Sequence, residues 1–263
     1  MNLQRITTVI QKNLLLLSRD LLQITDLVYW PLLDITLWGF TSAWLGTNQP
    51  GGNVVALTTL TALTLFHIMS RSHMDIAVSL VNELWDRNLV NLFSSPLSIG
   101  EWSLSAMLLG MVKSSFTVLF CSFVIWLLHG YNVFSLGWLM IPLMMALIFS
   151  GWSTGFFVSG MLLGWGQRVQ NFIWSIPWLF AAFCGVFYPI TILPHWAQII
   201  ARLLPMTYVF EGTRYAIANH ALPSKYIYLS ILLSIFYFVL GYMFFRKMFS
   251  RSKNFGLSRL EQE

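Results

Sequence analysis

Apolar residues at the start of the chain fall at Leu3, Ile6, Ile10, Leu14, Leu17 and Leu21, in three- and four-residue steps, while Gln4, Arg5, Gln11, Lys12 and Arg19 fall largely elsewhere. That period predicts an amphipathic helix over residues 1–25, suited to lie flat in the headgroup region of a membrane. The pattern then changes to long apolar runs, measured against the ~20 residues that a helix needs to cross a bilayer. Six spans are expected, over residues 27–45, 54–81, 104–128, 134–164, 172–188 and 226–245. Asn48-Gln49-Pro50-Gly51-Gly52 and His129-Gly130-Tyr131-Asn132 punctuate them as turns. The fourth run is long enough to need tilt or a break, for which Pro142 is the expected kink. Its Gly151, Gly155 and Ser159 form a stripe of small residues that favours close helix packing.

Two stretches carry more than membrane insertion requires. Residues 83–97, Glu83-Leu84-Trp85-Asp86-Arg87 through Ser95-Pro96-Leu97, read as a short amphipathic helix with Leu84, Leu89, Leu92 and Phe93 on its apolar face. Pro96 ends it, because the residue before a proline is pushed out of the helical region. Such a helix is either a plain connection or a lever on which a soluble partner pushes. Between residues 190 and 220 the chain is broken by prolines at short intervals, and irregular backbone at membrane depth requires burial in protein or a cavity. Two short, partly inserted helices are expected there, over 194–203 and 207–218, with Glu211 and Arg214 three residues apart on one face.

Composition fixes the class. Hydrophobic residues make up 57% of the 263 and charged residues only 10%, against about 25% charged in soluble domains. The mean hydropathy is +0.68 and the pI about 9.4, yet no basic run is dense enough to track a nucleic-acid backbone. The charges report topology instead. Eleven of the fifteen Lys and Arg fall on the side that holds both termini, which places the termini in the cytoplasm. No cleavable signal peptide is expected, because Arg5, Lys12, Arg19 and Asp20 are spread through the first segment. Cys121 and Cys184 sit in apolar runs and read as small buried hydrophobes.

Charges inside spans are functional suspects because burying them is costly. Asp34 and Lys113 are candidates for intramembrane polar contacts: they pair with each other or meet a polar headgroup, or else Lys113 snorkels and Asp34 bonds locally. His67, Arg71, His73 and Asp75 read as an interfacial anchor at the cytoplasmic end of the second span, with Arg71 and Asp75 as an i,i+4 pair. The aromatic run Trp152, Phe156, Phe157, Trp165, Trp174, Trp178 and Phe180 suits either an apolar or sugar-bearing ligand or plain lipid contact.

The two interrupted stretches, in this order, resemble the permease subunits of ABC-2-type transporters. Residues 83–96 resemble that family's E-x-x-x-G-T-L-E-x-L-x-x-[ST]-P, with Asn88 read as standing where glycine is frequent and Asn91 near the second acidic position. Gly185, Tyr188, Pro189, Leu193, Pro194 and Trp196 match its G-x-x-[FY]-P-x-x-x-L-P-x-[WF] segment. Pro205, Thr207, Tyr208, Glu211 and Arg214 match the proline, Thr-Tyr pair, acidic residue and arginine that succeed it in the family. The resemblance implies a single all-α membrane domain over residues 1–263: six transmembrane helices, an N-terminal interfacial helix, a cytoplasmic coupling helix at 83–97 and re-entrant outer helices at 190–220.

Glu83, Asp86, Arg87, Leu89, Leu92 and Pro96 would then couple the chain to an ATPase. Tyr188, Pro189, Leu193, Pro194, Pro205, Tyr208, Glu211 and Arg214 would form an outer gate. The implied protein is a non-catalytic subunit of an exporter in the bacterial inner membrane. Two copies of a separate ATP-binding protein would carry ATP and Mg, and a second permease subunit, a homodimer being the expected form, would complete the path among membrane lipids. The chain itself has no G-x-x-x-x-G-K-[ST] phosphate loop. The alternatives are a secondary transporter or channel, against which stand few intramembrane ions and no visible internal repeat, and a membrane-embedded lipid-modifying enzyme, for which the five histidines lack catalytic spacing.

Overall fold

The computed structural model describes residues 2–19, 21–47 and 52–257; residues 48–51, where the sequence predicts a turn, and those from 258, including Arg259, lie outside them. All regular structure among the described residues is helical. Helix α1 (Leu3–Arg19) is followed by α2 (Leu21–Thr47), α3 (Gly52–Trp85), a six-residue α4 (Leu89–Ser94) and α5 (Ile99–His129). Then come α6 (Met140–Trp165), α7 (Asn171–Phe183), α8 (His195–Leu203), α9 (Pro205–Asn219) and α10 (Ser224–Phe255).

Among the described residues, four stretches are long and apolar enough to cross a membrane: Val54–Trp85, Ile99–His129, Val133–Val169 and Ser224–Phe255. The first and fifth expected spans correspond to α2 and α7, which fall short of that standard for different reasons. The 27 residues of α2 give ample length, but Asp26, Pro31, Asp34 and several Thr and Ser dilute its hydropathy. The 13 residues of α7 reach only about 20 Å at helical rise, and the apolar run continues as turn from Cys184.

Helix α6 is the hub, packed most closely on α10 and α3. The small residues make that possible. A Cβ on Gly151 would stand 2.5 Å from the Met69 carbonyl oxygen, and one on Gly155 would stand 2.8 Å from that of His73. The α3 backbone therefore occupies the space where side chains would otherwise project. Pro142 does not kink this segment. It lies in the first turn of α6, where its missing N–H is not needed. The break falls at Gly137 (φ 56°, ψ −134°), inside a 3-10 stretch over Val133–Leu139, in a conformation that glycine adopts without a Cβ clash.

Helix α1 buries only Ile6 and leaves Leu14, Leu15 and Leu16 exposed by 39%, 59% and 49%. Of its apolar stripe, Ile6 is buried and Ile10 and Leu17 half-buried against the bundle, while Leu3 and Leu14 stay exposed, so the chain covers the stripe only in part. Its polar positions fix it to the bundle. The Asn2 N–H donates to Glu101 Oε1 at 2.7 Å, Arg5 donates to the Pro96 carbonyl, and Lys12 pairs with Glu83 at 2.6 Å. Glu101 also closes a capping box with Ser98, which starts α5 cleanly after Pro96.

Candidate functional site

The principal polar feature is a stripe on α3. His67, Arg71, Asp75, Ser79 and Glu83 follow one another at intervals of four residues, a spacing that sets neighbouring side chains one above the other and lets the stripe wind about 160° around the helix over its length. From His67 to Glu83 the stripe is about 24 Å long. Its charged members each meet a different neighbour. His67 Nε2 lies 3.4 Å from Asp34 of α2. Arg71 grips Asp26, through Nη1 to Oδ2 at 3.0 Å and Nη2 to the backbone carbonyl at 3.1 Å. Asp75 Oδ1 accepts from Lys113 of α5 at 3.0 Å, and Glu83 accepts from Lys12 of α1.

This arrangement corrects three expectations. Asp34 and Lys113 do not pair with each other; each meets α3 at its own level, two turns apart. Arg71 and Asp75 do not form an i,i+4 pair, because each turns outward to a different helix. The cluster is also divided. His73 faces the other way, bonded to Thr154 Oγ1 at 2.9 Å and to the Ile173 carbonyl at 3.0 Å, where it joins α3 to α6 and α7. The four-residue interval was present in the sequence as the signal for the stripe, while the partners depended on how the helices are rotated.

Two adjoining cavities open along the stripe. One of about 560 Å³ is lined by Asp75, Glu83, Asp86, Lys12 and Lys113; the other, of about 320 Å³, by Asp34, His67, Trp30 and Trp178. They share Asp26, Arg71, Met74 and Trp174. Of the aromatic run, Trp174 and Trp178 border this cleft, whereas Trp152 and Phe156 are packed inside the bundle and Phe157 and Trp165 are exposed.

At the end of α3 the segment expected as one helix over 83–97 is divided. Glu83 and Leu84 belong to α3, a turn follows at Asp86–Asn88, and α4 spans only Leu89–Ser94. The turn closes through hydrogen bonds from Arg87 N to Leu84 O and from Asn88 N to Glu83 O. Arg87 holds φ 52°, the left-handed position where helices commonly place glycine. The glycine of the resembled motif thus corresponds to Arg87, and the reading that placed the departure at Asn88 is off by one residue. Asn88 instead donates to Glu83 Oε2 at 2.6 Å. Leu89 is buried and Leu92 half-buried, while Asp86, Arg87, Asn91 and Pro96 face outward.

Arg87→Gly is expected to stabilise the fold by about 0.5 kcal/mol, because relief of ~1–2 kcal/mol of left-handed strain outweighs the added unfolded-state entropy. Arg87→Val is expected to cost more than about 1 kcal/mol on the same strain argument. Denaturant titration in mixed micelles reads both.

On the far side of the bundle, α8 and α9 begin within two residues of the expected positions. Pro194 occupies the N-cap of α8 and Pro205 the first turn of α9, where proline is pre-shaped for a helix. Glu211 and Arg214 pair at 2.7 Å as expected. Together they satisfy the broken backbone before α8: Glu211 Oε1 accepts from Ile190 N at 3.1 Å, and Arg214 Nη2 donates to Gly185 O at 2.8 Å. Burial lowers the Arg214 pKa, and the neighbouring Glu211 carboxylate opposes that shift. Tyr188 and Tyr208 donate to the carbonyls of Ala182 and Arg202, six residues earlier. Pro189 and Leu193 flank the 3-10 turn Ile190–Ile192. The contacts bring Glu211 and Arg214 together with Gly185 and Ile190, while Tyr208 bonds only Arg202; each satisfies backbone that the prolines leave irregular.

The chain matches the family described as ABC-2 type transporter over residues 4–218, which takes in the polar stripe, the α4 turn and the α8–α9 segment. A comparison with curated proteins finds no match.

Proposed function

The chain belongs to the ABC-2 type transporter family, and from that premise we propose that it is the permease subunit of an ATP-driven exporter. It is a multi-pass membrane protein, and proteins of this family usually work with an ATP-binding subunit. In this reading the whole chain is one transmembrane domain. The four long apolar helices are joined by α2 and α7 to give six crossings, with both termini in the cytoplasm and α1 lying on the inner face of the bacterial inner membrane.

The observation that carries the reading is the continuity of α3. It runs unbroken from the exposed turn at Asp86–Arg87 to the level of His67, holding α1, α2 and α5 by the Lys12–Glu83, Arg71–Asp26 and Lys113–Asp75 ion pairs on the way. A push on that turn moves a rigid rod whose lateral attachments are charged, and so is delivered to several helices at once. Asp86, Arg87 and Pro96 would meet the ATP-binding protein directly. Glu83, Leu89 and Leu92 would hold the turn to α1 and the core. Two such proteins would hydrolyse ATP with Mg beneath two copies of the permease. At the outer face, the segment braced by Glu211 and Arg214, with Tyr188, Pro189, Leu193, Pro194, Pro205 and Tyr208, would form the gate. Permeases of this family are generally non-catalytic, and the same role is assigned here: the chain supplies a path and a lever.

The experiment is co-purification of the full chain from native membranes, followed by reconstitution. An ATP-binding protein with a phosphate loop is expected to accompany it, and export from proteoliposomes should cease when the loop lysine of that protein is replaced. Export that continues on an ion gradient after ATP hydrolysis is abolished contradicts the reading and favours a secondary transporter.

A further inference from the structure

The cleft along α3 has a sign. The chain as a whole is positive by five charges, yet five of its ten Asp and Glu line the two cavities: Asp26, Asp34, Asp75, Glu83 and Asp86. Lys12, Arg71 and Lys113 line them too, and each is already held by a carboxylate at 2.6–3.0 Å. Counting histidine as neutral, the cleft therefore carries two uncompensated negative charges, at Asp34 and Asp86.

The inner end also retains unspent polar capacity. His67 is 8% exposed and Asp75 4% exposed, and both line the cleft. Among the described residues, neither His67 Nε2 nor Asp75 Oδ2 has a hydrogen-bond partner. Buried polar atoms are seldom left so. Around Asp34 the walls are aromatic: Trp30, Trp174, Trp178 and Phe66, the last with its ring centroid 5.7 Å from that of Trp178. Indole faces attract a desolvated cation through their quadrupole and also cover apolar bodies. Among the described residues, an anion has no free cation to meet here. A neutral amphiphile leaves the Asp34 charge facing only a histidine.

We propose that this cleft binds an amphipathic organic cation, with its positive centre facing Asp34 and its apolar body between Trp30, Trp174 and Trp178. That the bound cation is also exported cargo rests on the permease reading above; the binding itself does not.

The test uses the full-length chain in nanodiscs of zwitterionic lipid and two probes of the same shape and opposite charge, tetraphenylphosphonium and tetraphenylborate. Saturable binding is measured by equilibrium dialysis after subtraction of empty nanodiscs. Tetraphenylphosphonium is expected to bind at least about 10-fold more tightly than tetraphenylborate. Asp34→Asn should weaken its binding by about 10-fold, Asp34→Glu should restore it to within about 3-fold, and Trp174→Ala should weaken it by a similar factor to Asp34→Asn. Equal or tighter binding of tetraphenylborate, or unchanged affinity in a folded, monodisperse Asp34→Asn protein, overturns the proposal. No ATP-binding protein is present in this assay, so its outcome is independent of whether ATP drives transport. A failed ATPase experiment with intact cation selectivity overturns the permease reading alone.

Discussion

Replacing Lys113 by Met is expected to destabilise the folded protein by about 3 kcal/mol, and replacing both Lys113 and Asp75 to recover at least half of that loss. The pair is 3.0 Å apart with side chains only 14% and 4% exposed, so little water is present to screen it. Removing the lysine leaves the Asp75 carboxylate buried, with Oδ2 already lacking a partner. Asp75→Asn leaves Lys113 in the same position from the other side. The double variant Asp75→Asn/Lys113→Met removes both charges together and with them most of the desolvation penalty. Denaturant titration of all four proteins in mixed micelles gives the coupling directly. Additive losses would show that the two residues act separately.

The second large effect concerns the α3–α6 contact. Gly151→Ala is expected to cost about 2–4 kcal/mol, because its methyl group would lie 2.5 Å from the Met69 carbonyl oxygen and 2.6 Å from Ser72 Cβ. Backbone cannot move aside as a flexible side chain can, so the two helices must separate along their length. Gly164→Ala is the control on the same helix. Its nearest neighbour is the Met248 sulfur at 3.5 Å, an ordinary contact, and a change below about 0.5 kcal/mol is expected. Thermal unfolding in nanodiscs should separate the two variants clearly; similar changes in both would contradict the interhelical-distance argument, since helix propensity alone favours alanine over glycine.

The sequence made the apolar runs, the small-residue stripe and the proline-bounded helices α8 and α9 legible because each depends on local chemistry. Pro194 and Pro205 mark helix starts by their own ring geometry, and Glu211 meets Arg214 because three residues on a helix bring side chains together. Where a local rule admits two answers, the structure decides. Pro142 is compatible with a kink or with a first turn, and the glycine at 137 takes the break instead. Arg87 shows a left-handed conformation that no arginine signals in advance. The partners of Asp34, Arg71 and Lys113 were not legible at all. They depend on the rotation of α2 and α5 against α3, which is set by packing across the whole bundle rather than by spacing along the chain.

In the proposed mechanism the exposed turn and α4 receive force from a separate ATP-binding protein. Asn91→Cys places a thiol on the outward face of α4, and the native Cys121 and Cys184 are both buried, so a short cross-linker with one thiol-reactive end and one photoactivated end, which inserts into any neighbouring side chain, reports the new position. In membranes that contain the co-purifying ATP-binding protein, a covalent adduct between the two is predicted from position 91. None is predicted from Val112→Cys, which lies on an exposed face of α5 farther along the helix. Absence of the adduct at position 91, or equal yield from both positions, would contradict the account.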